Sequence, residues 1–160
     1  MVKNEQGGKQ KSPNFVSLYQ RYAALDNGLK AALRRVGRPD DLRDTVALYR
    51  LFYESRSQDN WLQVVFLIPW CTQCKTGTGE NIPTFGASLA LNKVNEKRVL
   101  QIARSTEPLG IILLRRLAIQ VKPAVDWEKF GWTLLKWGRD EKRQIVEDFF
   151  YKTTFGMKGA

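Results

Sequence analysis

The chain has 160 residues, 43% of them hydrophobic, and carries 26 Lys plus Arg against 16 Asp plus Glu for a formal charge of +10. It has no histidine, which removes the commonest general acid/base and the commonest metal ligand. No run approaches the ~20 apolar residues of a membrane span, and the N-terminal MVKNEQGGKQKSPN lacks the apolar core of a signal peptide. Two cysteines without an export signal or a disulfide framework point to the cytoplasm. The basic excess is spread out, with 12 basic and 8 acidic residues in 1–80 and 14 and 8 in 81–160. A positive field spread over a whole domain favours a polyanionic partner.

Residues 1–13 are polar and rich in Gly and Lys, and are expected to be a disordered tail. Ser12 or Asn14 begins a first helix, with Phe15, Leu18, Tyr22 and Leu25 at helical spacing. Asp26 or Asn27 caps a second helix, whose inner face is Leu29, Leu33 and Val36. Lys30 and Arg34 share another face of it, beside Arg35 and Arg38, and Gly37 and Pro39 stop it. Asp40, Asp41 or Asp44 starts the next helix, with Ala47, Leu48, Leu51 and Phe52 inward. After the polar ESRSQDN comes WLQVVFLIPW, apolar on nearly every side, which is read as a buried helix although Val64, Val65 and Ile68 favour a strand.

A loop follows over residues 71–84, then a short helix at Phe85–Leu91. Asn95 caps a helix with Val99, Ile102 and Ala103 inside, and Thr106 caps another with Pro108 in its first turn. Pro123 ends that helix, Asp126 caps a further one bearing Trp127, Phe130, Leu134 and Trp137, and Gly138 terminates it. The last helix runs from Asp140 to about Tyr151, burying Ile145, Val146, Phe149 and Phe150. This predicts an all-α protein of about nine helices in two packed bundles, one over 14–84 with its loop 71–84 and one over 85–160.

Trp70–Lys75, WCTQCK, has the form of a thioredoxin-like redox motif. Such chemistry needs its first Cys at a helix N-terminus to stabilise the thiolate, and TGTGENIP is poor helix material with no βαβ pattern around it. A thiol-disulfide oxidoreductase using Cys71 and Cys74 is therefore the alternative function. Two thiolates without histidine cannot fill a tetrahedral zinc site, so no metal and no cofactor is expected. TGTGE lacks the Gly-Lys-Ser/Thr ending of a phosphate loop. Asp40, Asp41 and Asp44 are accounted for as helix-start residues. What remains are cationic pairs: Arg34–Arg35, Lys97–Arg98, Arg115–Arg116, then Arg139 and Lys142–Arg143. Neighbours on a helix point about 100° apart, so each pair can present one cation to a shared groove. Local pairing, such as Arg143 with Glu147, cannot absorb an excess of ten. Most of the tryptophans sit at core spacing.

In order along residues 18–150 the chain carries LDNG (25–28), LRRV (33–36), PDDLRD (39–44), LYRL (48–51), VNEKRVLQIAR (94–104), LLRRL (113–117), P-x-x-DW (123–127), WG-x-x-E (137–141) and VEDF (146–149). Together these resemble CasB, the small-subunit family of the type I-E CRISPR effector complex Cascade. The region 52–84 departs most, and WCTQCK has no counterpart in the resemblance. The resemblance implies a two-lobed helical subunit without catalytic activity, two copies head to tail, beside the large subunit and the backbone subunits. It implies contact with the displaced DNA strand and with the guide RNA–target DNA hybrid. The basic residues at matching motif positions are Arg34, Arg35, Arg98, Arg115, Arg116, Arg139 and Lys142; Lys30 joins them on helix spacing alone.

Overall fold

The computed structural model describes residues 14–51, 59–74 and 82–156. The expected N-terminal tail, Phe52 and residues 75–81 of the expected 71–84 loop lie outside them. Nine α-helices are present among the described residues: α1 Phe15–Ala23, α2 Asn27–Arg35, α3 Val46–Leu51, α4 Asp59–Leu67, α5 Phe85–Leu91, α6 Glu96–Arg104, α7 Leu109–Val121, α8 Trp127–Leu135 and α9 Arg139–Tyr151. Short 3₁₀ turns fall at Pro39–Asp44 and Ile68–Trp70, and a π turn at Lys152–Gly156 follows α9. The all-α expectation holds.

The starts of these helices follow from side chains that satisfy the first free N–H groups. Asn14 accepts from Ser17, Asp26 from Leu29, Thr84 from Ala87, Asn95 from Lys97 and Asp126 from Glu128. Three expectations need correction. Pro39 opens a 3₁₀ turn that takes up Asp40, Asp41 and Asp44, so α3 is capped instead by Thr45, whose hydroxyl accepts from the Leu48 N–H at 3.2 Å. Helix α7 begins after Pro108, and Glu107 rather than Thr106 reaches its first turn, accepting from the Ile111 N–H at 3.0 Å. Gly138 is the residue before α9, whereas α8 has already ended at Leu135.

The segment 59–67 is a helix, as its neighbourhood suggested, and its apolar character has a clear cause. Val64, Val65, Phe66 and Leu67 are fully buried because α4 packs on α8, α7, α2 and the Pro39–Asp44 turn. A helix enclosed on most sides needs apolar residues on most sides. One apolar cluster runs from Phe15 to Phe149 and takes in residues from both sides of 71–84.

The chain is not strand-free. Thr72–Gln73 pairs in parallel with Ala124–Val125, in register Thr72 to Ala124 and Gln73 to Val125. The β-bridge forms where the segment after the Ile68–Trp70 turn meets the segment after α7. Thr72 N–H donates to the Pro123 carbonyl at 3.1 Å and Cys74 N–H to the Val125 carbonyl at 2.9 Å. The Trp127 indole N–H, buried, donates to the Cys71 carbonyl at 3.0 Å.

Helices α1 and α8 approach closely because Gly131 has no side chain. A Cβ there would run into the Phe15 ring, and Phe15 itself lies edge-on to Trp132 with ring centres 5.6 Å apart. Gly131→Ala should therefore force the two helices apart and cost about 1–3 kcal/mol. Urea denaturation reads this as a lower midpoint at unchanged slope.

Candidate nucleic-acid interface

The eight cations singled out by sequence divide into two groups. Arg34, Arg35, Arg98, Arg116 and Arg139 are exposed, and Lys30 is half-buried. Lys30 and Arg34 lie one turn apart on α2 and both engage Tyr22 of α1. The Lys30 ammonium sits 5.7 Å from the ring centre. Burial raises the Tyr22 hydroxyl above its usual range, and a hydrogen bond and charge from Arg34 partly offset this. Arg98 of α6 donates to the Gln120 side chain of α7. No hydrogen bond or ion pair occupies the Arg35, Arg116 or Arg139 guanidinium among the described residues. No ion pair joins Arg143 to Glu147 either.

The other two point inward. Lys142 is only 7% exposed. Its ammonium donates to the Ser105 carbonyl at 2.7 Å and to Glu107 Oε2 at 2.9 Å. Arg115 is half-buried, donates from Nη1 to the Val36 carbonyl at 2.6 Å, and lies with its guanidinium carbon 4.2 Å from the centre of the Phe66 ring. Burial, and then the charge of Arg116, pulls the Arg115 guanidinium below its usual range.

Both carbonyls lie just past a helix C-terminus, Ser105 after α6 and Val36 after α2. A third cation does the same work. Arg21 Nη1 donates to the Leu51 carbonyl at the end of α3, at 2.8 Å. Helix C-termini leave carbonyls without partners and carry partial negative charge, so a cation answers both needs. Sequence spacing gave no sign of this, because the partners are 30, 37 and 79 residues apart. Arg38, absent from the eight, lines a cleft of about 240 Å³ with Glu107 and Pro108. Its place beside Lys30, Arg34 and Arg35 was its signal in the sequence.

The tryptophans follow the packing expectation in the main. Trp127 and Trp137 are buried and Trp61 is half-buried, its ring centre 5.2 Å from that of Phe15. Trp132 remains exposed, with the Lys136 ammonium 5.4 Å from its centre. The cysteines sit at the β-bridge and are not bonded to each other. Cys71 is buried, and burial alone pushes its thiol far up; Cys74 is raised by burial first and by the Asp126 charge second. No three-residue cluster of His, Cys, Asp or Glu suited to a metal occurs among the described residues, and no helix there is long and apolar enough to cross a membrane.

The comparisons follow the same line. No family model matches the chain. Over 157 residues it is 32% identical to the Cascade subunit CasB of Escherichia coli strain K12, an alignment that spans 86% of this chain and 93% of that protein. The chain belongs to the CasB family. A chain in the crystal structure of Escherichia coli Cascade bound to a PAM-containing dsDNA target superposes on it with a TM-score of 0.79 at 32% identity, covering 89% of this chain and all of the other.

The motifs that pointed to CasB turn out to be largely structural. Asp126 caps α8, Trp127 anchors the β-bridge, Asn95 caps α6, and PDDLRD forms the 3₁₀ turn with Leu42 fully buried. Two predictions follow from the inward-facing groups. Lys142→Ala leaves the Ser105 carbonyl and Glu107 without their donor, so it should lower stability by about 2 kcal/mol in urea. For Cys71, the folded chain holds the proton where the unfolded chain releases it near the ordinary 9.0. Its contribution is complete below that pH and declines as pH rises beyond it, by up to about 1.4 kcal/mol per unit. Denaturation of the Cys71→Ala variant over alkaline pH should show a shallower decline than the unaltered protein.

Proposed function

We propose that this CasB-family chain is a non-catalytic, nucleic-acid-binding subunit of a type I-E Cascade. It stabilises the R-loop by holding the displaced DNA strand and the guide RNA–target hybrid region in a basic groove. Its protein neighbours are the large subunit, the backbone subunits and a second, head-to-tail copy of itself, in the cytoplasm. The observation that carries the reading is its likeness to CasB and to a chain of DNA-bound Cascade over most of its length. The exposed guanidiniums of Arg34, Arg35, Arg98, Arg116 and Arg139 are consistent with it, with half-buried Lys30 at the edge of the set. Arg115 and Lys142 drop out as direct contacts, since both are engaged with backbone carbonyls.

The physical task is modest in energy. Replacing DNA duplex by RNA–DNA hybrid is close to balanced in free energy, so binding of the expelled strand tips it. Base pairing supplies the specificity, and the protein needs only cations that follow phosphates, for which the guanidinium fork is suited. Thiol chemistry at Cys71 and Cys74 is disfavoured. Cys71 lies in extended backbone, not at a helix N-terminus, and its thiol is held protonated by burial.

The test is charge reversal in the assembled complex. Arg34→Glu with Arg116→Glu should weaken R-loop formation on target DNA by roughly tenfold or more and make binding less salt-sensitive, while the subunit stays folded. R-loop yield equal to that of the unaltered complex would overturn the reading.

A further inference from the structure

Arg115 invites a role of its own. Helix α2 ends at Arg35, and Val36 has extended backbone, φ −67° and ψ 145°, so no left-handed cap closes the helix. Its free carbonyl receives a donor from 79 residues away. Helices α2 and α7 do not pack broadly on each other among the described residues. Each packs on α4 and on the Ile68–Trp70 turn, and Arg115 crosses between them. The guanidinium carbon lies over the Phe66 ring while Nη1 donates to the Val36 carbonyl. Only a planar cation does both at once. Arg35 directly precedes the residue whose carbonyl is held, and Arg116 directly follows the residue that holds it. Arg35 and Arg116, neither of which has a hydrogen bond or ion pair among the described residues, therefore stand in sequence one residue to either side of the same hydrogen bond.

We propose that Arg115 is a positioning residue of the nucleic-acid surface. It touches no phosphate itself, and by tying the end of α2 to α7 it presents Arg35 and Arg116 as one unit to a single strand. Swinging out to a phosphate would cost it both the Val36 bond and the Phe66 stack. The proposal rests on the nucleic-acid-binding reading above.

Fluorescence anisotropy of a labelled thymidine-only oligonucleotide with the full chain at low salt tests it. Arg115→Met keeps apolar contact with Phe66 and removes the donor; Arg115→Lys keeps charge and donor and loses the planar stack, and it carries the same test if the Met variant fails to fold. In the unaltered background we expect about five- to tenfold weaker binding by Arg115→Met, with a partial effect for Arg115→Lys. In a background of Arg35→Gln plus Arg116→Gln, the same substitution should change affinity by less than about twofold. Equal weakening in both backgrounds would mean that Arg115 contacts the strand directly. A lowered melting temperature with unchanged affinity of the folded protein would mean that it serves the fold alone. Either result overturns the proposal. If Arg35→Gln plus Arg116→Gln binds as tightly as the unaltered chain, the binding reading itself has failed, whatever Arg115 does.

Discussion

Carbonyls at helix ends, met by cations from elsewhere in the chain, are the constraint on which much of this structure depends. Arg21 serves α3, Arg115 serves α2 and Lys142 serves α6. Each interaction joins a cation to a carbonyl that no intrahelical N–H can reach. Because the partners are far apart in sequence, each also closes a long loop of chain. In a protein with this many short helices, the ends are a large share of the backbone, and satisfying them is as demanding as filling the core.

The core itself is organised by α4. Its length is only Asp59–Leu67, yet it meets α2, α7 and α8, and Phe66 carries the Arg115 guanidinium on its ring. The apolar interior and the cationic caps are thus one assembly. The Cys71–Cys74 stretch belongs to it as well. It forms the small parallel bridge with Ala124–Val125, and its first carbonyl holds the Trp127 indole. What looks in sequence like a reactive pair is a seam between the segment after α4 and the segment before α8.

These internal duties change how the charge excess is understood. A net charge of +10 spread over both halves is a statement about the field around the molecule, and that field survives whichever cations are used inside. Direct contact is a different matter. Of the paired motifs, Arg115–Arg116 splits into one cation turned inward and one turned out, as the angular separation of helical neighbours allows. Lys142 is consumed at the corner between α6 and α7, where its partner Glu107 also caps α7.

Sequence alone determined the helices and most of their starts, because the signals for both are local. Apolar spacing placed Phe15, Leu18 and Tyr22 inside, Asn95 and Asp126 were legible as caps, and Asn14 and Asp26 were each one of two candidates. The ordered motifs identified the family, and several of them are caps and buried anchors of this fold. Tertiary structure decided everything that depended on distant partners: the parallel bridge, Thr45 and Glu107 as the caps that won, and which cations face solvent. An arginine has the same letter whether it meets water or a carbonyl 79 residues away. Only the packing of α2, α4 and α7 brings Val36 within reach of Arg115 and leaves Arg116 outside.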